Sequence, residues 1–207
     1  MVIALDLDGT IVDARRRQVA VAMACLAELD VSTVEPAAFW ALKRAGRTTE
    51  EALTALAVPA EAARRVAERW VAQIEDPRWL RVDQVVPGAR AAITALRLSG
   101  SRPFILTARR DQAAASAQIE SLDLGFGQDD ITIVDPRDAA AAKAEALRRQ
   151  QAMGFIGDTE SDALAADLAG VRFVAVATGQ RSAEALRRAG IADVRADLPD
   201  AVRDFLT

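Results

Sequence analysis

A chain of 207 residues, 51% hydrophobic and 27% charged, can bury one core or one core with an insertion, and no apolar stretch approaches the roughly 18–20 residues of a membrane span. It has no histidine, no tyrosine and one cysteine, Cys25, which excludes Ser-His-Asp and Cys-His catalysis, His- or Cys-rich zinc sites and an internal disulfide. A formal net charge of −4 argues against nucleic acid as partner, so chemistry falls to carboxylates, hydroxyls, Lys, Arg, backbone amides or an oxygen-bound hard cation.

The first element is a short strand, "VIAL" (2–5), which delivers Asp6 and Asp8 and turns at Gly9. Like charges two residues apart repel, and a buried strand has no structural use for them. They also interrupt the run far short of a secretory segment, and no basic segment precedes it, so the expected location is the cytoplasm. From about Ala14 to Val86 the pattern is almost wholly helical. "RRRQVAVAMACLAELD" places Val19, Met23 and Leu26 on one stripe, and "AEAARRVAERWVAQIE" does the same with Val66, Trp70 and Ile74. Pro36 and Pro59 mark helix starts. This segment reads as a small helical bundle, residues 14–86, inserted into a core made of 1–13 and 87–207. Within it, "LKRAGRTTEEAL" (42–53) breaks at Gly46 and sets Lys43, Arg44 and Arg47 around the turn, either to reach an anionic substrate or as an exposed connection. The pairs Arg64-Arg65, Arg148-Arg149 and Arg187-Arg188 read as solvated helix faces. Arg15-Arg16-Arg17 reads the same way, although its place close behind Asp13 leaves a functional role open.

After the insertion, four more strand-like runs follow: "PFIL" (103–106), "ITIV" (131–134), "GFIG" (154–157) and "FVAVA" (173–177). They are continuous rather than alternating, as strands buried on both faces are. Helical patterns at 88–100, 110–125, 137–150, 161–170 and 182–190 surround them, the last with Ser182 as N-cap and Gly190 as stop. The alternation predicts a Rossmann-like, doubly wound parallel α/β sheet carrying the small all-helical insertion.

In such sheets ligands sit beyond the carboxyl ends of the strands. Asp6, Asp8, Gly9 and Thr10 follow the first run, Thr107, Ala108, Arg109 and Arg110 the second, and Asp158, Glu160 and Asp162 the fourth. Four carboxylates, Asp6, Asp8, Asp158 and Asp162, would then face one crevice and suit a hard divalent cation such as Mg²⁺. Lysine occurs only at Lys43 and Lys143. Lys143 lies on the helix after the third strand, where a compact ammonium suits a carboxylate cluster and a transferring phosphoryl group; alone, it reads equally as a solvated helix residue.

"DLDGT" (6–10), "ILT" (105–107), Lys143 and "GDTESD" (157–162), in this order and on these elements, resemble the four motifs of the haloacid dehalogenase superfamily. "VVPGARAAITALRLSG" and "VATGQRSAEALRRAGI" resemble its phosphatase branch, that of phosphoglycolate phosphatase. The resemblance implies Asp6 as nucleophile, forming an aspartyl-phosphate, and Asp8 as general acid and then base, its pKa raised by the neighbouring acid. It implies Mg²⁺ held by Asp6, Asp158 and the backbone carbonyl of Asp8, with Asp162 acting through metal-bound water or by fixing Lys143. Thr107, Lys143 and backbone groups near Asp8, Gly9 and Ala108 would hold the phosphoryl oxygens, while Gly9 and Thr10 shape the turn. Asp8 separates phosphate chemistry from the dehalogenases, whose leaving halide needs no proton. The remaining alternatives are a phosphotransferase or dehalogenase, or a non-enzymatic phosphate-binding or regulatory module. The insertion resembles the family's helical cap, which implies a small phosphorylated metabolite as substrate and no nucleic acid or membrane partner, in a monomer or homodimer. Arg47 is the cap residue singled out for the substrate. Arg109 and Arg110 lie close enough to touch it, and Glu160 stands in the helix start; a surface turn or solvated helix end explains these three equally well.

Overall fold

The computed structural model describes residues 1–31 and 34–206, so Ser32, Thr33 and Thr207, which the ranges 14–86 and 87–207 include, lie outside the described residues. In chain order the strands are β1 (Val2–Leu5), β2 (Val12–Asp13), β3 (Gln84–Val85), β4 (Arg102–Ala108), β5 (Ile131–Val134), β6 (Gly154–Gly157), β7 (Arg172–Val176) and β8 (Val194–Arg195). The helices are α1 (Arg15–Glu28), α2 (Pro36–Arg44), α3 (Thr49–Ala55), α4 (Ala60–Gln73), α5 (Pro77–Leu80), α6 (Ala89–Leu98), α7 (Gln112–Ser121), α8 (Ala139–Arg149), α9 (Glu160–Ala169), α10 (Ala183–Arg188) and α11 (Leu198–Arg203).

Six strands form one sheet in the order β5-β4-β1-β6-β7-β8, every pair parallel. β1 is central, with Leu5 opposite Ile105 of β4 and Ile156 of β6. Side chains alternate across a strand, and the core divides accordingly. Ile3, Leu5, Ile105 and Ile156 pack with Ile93 and Leu96 of α6 and Val202 of α11 on one face. Ala4, Phe104, Leu106 and Phe155 pack with Leu147 of α8 and Ala165 and Ala166 of α9 on the other. Both faces are covered, which is why the strands read as unbroken apolar runs. Alternation also aims Asp6, two residues after Ala4, at the α8–α9 side.

The five strand-like runs all form strands of this sheet, and a sixth, β8, joins it. β8 is two residues long and carries no periodic signal. Ser182 accepts from the backbone N–H of Ala185, as expected of an N-cap. The return from the insertion is not wholly helical: β2 and β3 form a two-stranded antiparallel ribbon, with Val12 opposite Val85. This ribbon closes the two chain crossings on each other.

α1 to α4 surround a second apolar cluster of Val21, Cys25, Leu26, Phe39, Leu53 and Val66. The buried face of α1 is turned from the expected stripe: Val19 and Met23 are half-buried at its edge, and Arg17, Gln18, Val21, Ala22, Cys25 and Leu26 are buried. This face carries Val21, Ala22, Cys25 and Leu26 into the apolar cluster and Arg17 to buried Asp83 and half-buried Asp8. Pro36 occupies the first turn of α2 and Pro59 caps α4, as their positions suggested. Among the described residues, no helix is long and apolar enough to cross a membrane.

Lys43 departs from both expectations for its loop. It is buried, donates to Thr49 Oγ1 at 3.2 Å and lies 5.2 Å from the ring centroid of Trp70. Burial, and then Arg181, push its ammonium down to about 8 from the ordinary 10.5, against an opposing pull from Glu51. The folded chain therefore holds this proton less tightly than the unfolded chain. The charged amine costs stability in full below pH 8, and the cost fades as pH rises toward 10.5. Lys43→Met is expected to raise the unfolding free energy at pH 7 by about 1–3 kcal/mol, with the gain shrinking by pH 10. Urea unfolding at the two pH values measures it; a destabilised variant at pH 7, or a gain independent of pH, contradicts it.

Candidate active site

Asp6 ends the central strand, its N–H donating to Ile156 O at 2.9 Å. From the face toward which it points, α8 supplies Lys143, whose ammonium donates to Asp6 Oδ1 and to Asp162 Oδ1, both at 2.6 Å. Asp162 is fixed by the start of its own helix. Thr159 caps α9 by accepting from Asp162 N, and Asp162 Oδ2 accepts from the Thr159 N–H and hydroxyl. Asp158 follows β6 and accepts from Gln180 N at 2.6 Å through Oδ2.

One oxygen from each of Asp6, Asp158 and Asp162 lies within 4.8 Å of the others, and all three residues are buried. Two glycine backbones press on this group. A Cβ on Gly179 would stand 1.9 Å from Asp158 Oδ2, and one on Gly9 would stand 2.4 Å from it, with Gly9 also at φ +80°. Thr178 Oγ1 donates to Gly9 O at 2.5 Å and so joins the two loops.

Three carboxylates against one ammonium leave the cluster short of positive charge. Burial, opposed by Lys143 and reinforced by Asp162 and Asp8, pushes Asp6 up to about 7. Burial, and then Asp6 and Asp162, hold Asp158 well above the usual carboxylate range. Lys143 is raised as well, but for the opposite reason: burial would lower it, and Asp162 and Asp6 outweigh burial. Oxygen donors this crowded and this undercompensated fit a hard divalent cation.

Asp8 has a different environment. Its side chain lies outside the three-carboxylate group and accepts from Arg17 Nη2 at 2.5 Å and Arg109 Nη2 at 2.7 Å. Burial would raise its pKa, but Arg109 and Arg17 together lower it below the ordinary value. The expected upward shift from a neighbouring acid is thus reversed by two guanidinium groups. Arg17 also pairs with Asp83 at 2.9 Å and donates to Ile74 O at 3.1 Å. Gln118 closes the ring, donating to Asp83 Oδ2 at 2.8 Å and accepting from Arg109 at 3.3 Å.

Asp8 opens on a cleft of about 370 Å³ bounded by Trp70 and Ile74 from the helical segment and by Ala108, Arg109 and Gln180 from the strand ends. Thr107 is buried on β4 and Thr10 is buried in the turn, its hydroxyl without a partner among the described residues. Arg47 is exposed and borders a separate recess with Thr48 and Thr54, so the structure does not bring it to the cleft. Arg44 donates to Ala177 O at 2.8 Å, and Lys43, as above, packs within the helices; neither lines the cleft. Glu160 is half-buried and pairs with Arg181 at 2.8 Å, and Arg110 is exposed beside Glu75 at 3.6 Å. The functional role left open for Arg15-Arg16-Arg17 falls on Arg17, while Asp83, Gln118 and Gln180 carry no local signature in the sequence, since chain separation hides their meeting.

A family model described as haloacid dehalogenase-like hydrolase matches residues 1–170, and one described as HAD-hydrolase-like matches 137–204. A phosphoglycolate phosphatase of Cereibacter sphaeroides is 34% identical over 148 residues, covering 67% of this chain and 66% of the relative, a little under two thirds of its length. A second from that organism is 33% identical over 131 residues, 59% of each chain. Among solved structures, a haloacid dehalogenase-like family hydrolase from Streptococcus pneumoniae superposes with TM-score 0.76 at 20% identity, over 99% of this chain and 97% of its own. A predicted phosphatase from Clostridium acetobutylicum gives 0.76 at 18% identity with the same coverage.

Two outcomes follow from the packing. Gly179→Ala is expected to displace Asp158 and so weaken divalent-cation binding at the cluster, read by titrating Mg²⁺ or Mn²⁺ against melting temperature in both proteins; the same cation response in variant and wild type contradicts the role given to this contact. Arg17→Met leaves Asp83 without its buried ion-pair partner and Asp8 without one of two guanidiniums, and is expected to cost about 3–5 kcal/mol in urea unfolding; a variant as stable as wild type contradicts it.

Proposed function

The chain belongs to the haloacid dehalogenase-like hydrolase family, and from that membership we propose that it is a Mg²⁺-dependent phosphatase of small phosphate monoesters. The observation that carries the reading is the meeting of Asp6, Lys143, Asp158 and Asp162 beside a separately held Asp8. The name of its Cereibacter relatives, phosphoglycolate phosphatase, supports a small phosphorylated acid as substrate.

Asp6 attacks phosphorus in line, the ester P–O bond breaks, and an aspartyl-phosphate forms while a proton passes from Asp8 to the leaving oxygen. Asp8 then takes a proton from water, which attacks the acyl phosphate and releases inorganic phosphate and the Asp6 carboxylate. With Arg17 and Arg109 in place, Asp8 is a carboxylate, the form the second half of the cycle needs; the first half requires those contacts to loosen. Lys143 and Thr107 hold phosphoryl oxygens, with backbone N–H groups near Asp8 and Ala108; the Gly9 N–H already donates to Val12 O at 2.7 Å and helps shape the turn. Mg²⁺, held by Asp6, Asp158 and the main-chain carbonyl of Asp8 with Asp162 behind them, would neutralise charge on the phosphoryl group. Residues 14–86 act as a cap over a core of 1–13 and 87–207, excluding bulk water. The working location is the cytoplasm.

Hydrolysis of p-nitrophenyl phosphate tests the reading. Wild type is expected to be active with Mg²⁺ and inactive with chelator. Asp6→Asn should lose at least about 10³-fold in kcat, and Asp8→Asn about 10²–10⁴-fold. Equal activity in all three proteins overturns the assignment, and halide release from a haloacid by wild type and Asp8→Asn alike replaces it with dehalogenation.

A further inference from the structure

Four arginines border the cleft beside Asp8: Arg17, Arg109, Arg110 and Arg137. Three have a carboxylate besides Asp8. Arg17 is paired with Asp83, Arg110 with Glu75 and Arg137 with Asp135. Arg109 has only its share of Asp8, which Arg17 also holds. It is 3% exposed, and among the described residues its Nε and Nη1 have no hydrogen-bond partner. A buried guanidinium carries five N–H donors, and leaving them unpaired costs stability unless something else uses them. Its backbone is fixed by β4, since Arg109 N donates to Val134 O at 3.0 Å, and Gln118 holds its head at 3.3 Å. Arg109 therefore lines the cleft from a rigid strand end, two residues after Thr107, which the proposed function places on the phosphoryl group.

We infer that Arg109 is a specificity-determining residue that receives a second anionic group of the substrate, a carboxylate or a further phosphate, at the opposite end from the ester being cleaved. The inference rests on the phosphatase reading and deepens it. Planar guanidinium donors match both kinds of anion, and a cleft of about 370 Å³ limits the substrate to a small molecule. A neutral analogue of the same size leaves the Arg109 donors unpaired, which is how a polar site rejects a substrate lacking the recognised group.

The experiment compares kcat/KM for three esters with one phosphate ester in common: 2-phosphoglycolate, 2-hydroxyethyl phosphate and ethylene glycol bisphosphate. Wild type is expected to favour an anionic ester over the hydroxyl ester by roughly 10²-fold, and whichever anion is preferred identifies the group. In Arg109→Met that preference should fall to within about threefold, with Arg109→Lys restoring part of it. The ratio of two kcat/KM values cancels the fraction of folded enzyme, so a partly unfolded variant still gives an answer; where Arg109→Met has no measurable activity, the ratio in Arg109→Lys decides. A ratio preserved in the variants overturns the inference, because a residue that only steadies Asp8 lowers all three esters alike. Wild type that hydrolyses p-nitrophenyl phosphate but ranks the three esters equally overturns the inference and leaves the phosphatase reading standing. Wild type that hydrolyses no ester overturns both.

Discussion

The structure of the site depends on one buried contact, the ammonium of Lys143 held between Asp6 and Asp162. A buried carboxylate is tolerable only when paired, and here each of two carboxylates is paired with the same amine. The pairing works because the sheet aims its members. β1 is central, so the residue after it faces neighbours from β4 and β6; alternation along β1 turns Asp6 to the side where α8 and α9 pack. The Lys143 ammonium also lies 5.5 Å from the Phe155 ring centroid, so an aromatic face and two carboxylates share its charge. A third acid, Asp158, joins without a cation of its own among the described residues, and the group as a whole is left wanting positive charge.

Two residues further on, the same short motif enters an opposite field. Asp6 is raised because burial outweighs one amine, and Asp8 is lowered because two guanidiniums outweigh burial. Equivalent side chains are thus made chemically different by partners from distant parts of the chain. Arg17 comes from the first helix of the insertion and Arg109 from the end of β4. The ring through Asp83 and Gln118 binds these partners to each other as well as to Asp8. The separation of roles proposed for the two acids rests on this asymmetry, not on their spacing.

Much of this was legible in the chain and part of it was not, for identifiable reasons. The strands were readable because both faces of the sheet are buried, which writes unbroken apolar runs such as "VIAL" and "GFIG". The Asp6–Lys143–Asp162 contact was foreseeable because each residue follows or faces a strand end, a position set by topology. β8 and the β2–β3 ribbon escaped notice because two residues hold no period. The run Arg15-Arg16-Arg17 is ambiguous in sequence, a solvated helix start or a functional group behind Asp13, and the meeting with Asp8 and Asp83 separates Arg17 from the other two. For Arg47, beside the glycine turn, the sequence allows either a substrate contact or an exposed connection, and the fold places it exposed at a recess apart from the cleft. Charge reads well from sequence as an amount and poorly as a direction.

The loop from Ala177 to Ser182 shows how the two parts of the molecule act on one another. Arg44, at the end of α2, donates to Ala177 O and accepts from Ser182 N at 2.9 Å, so the helical segment rests on both ends of this loop. Between those ends, Thr178 binds Gly9 O, Gly179 presses on Asp158, and Gln180 N donates to its Oδ2. The contact that seats the insertion is therefore made with the same six residues that orient a metal-ligand candidate. Moving α2 off the loop leaves Asp158 with fewer constraints, while the Lys143 pairing, anchored on α8, is untouched. The helical segment is thus tied to Asp158 through this loop and to Asp8 through Arg17.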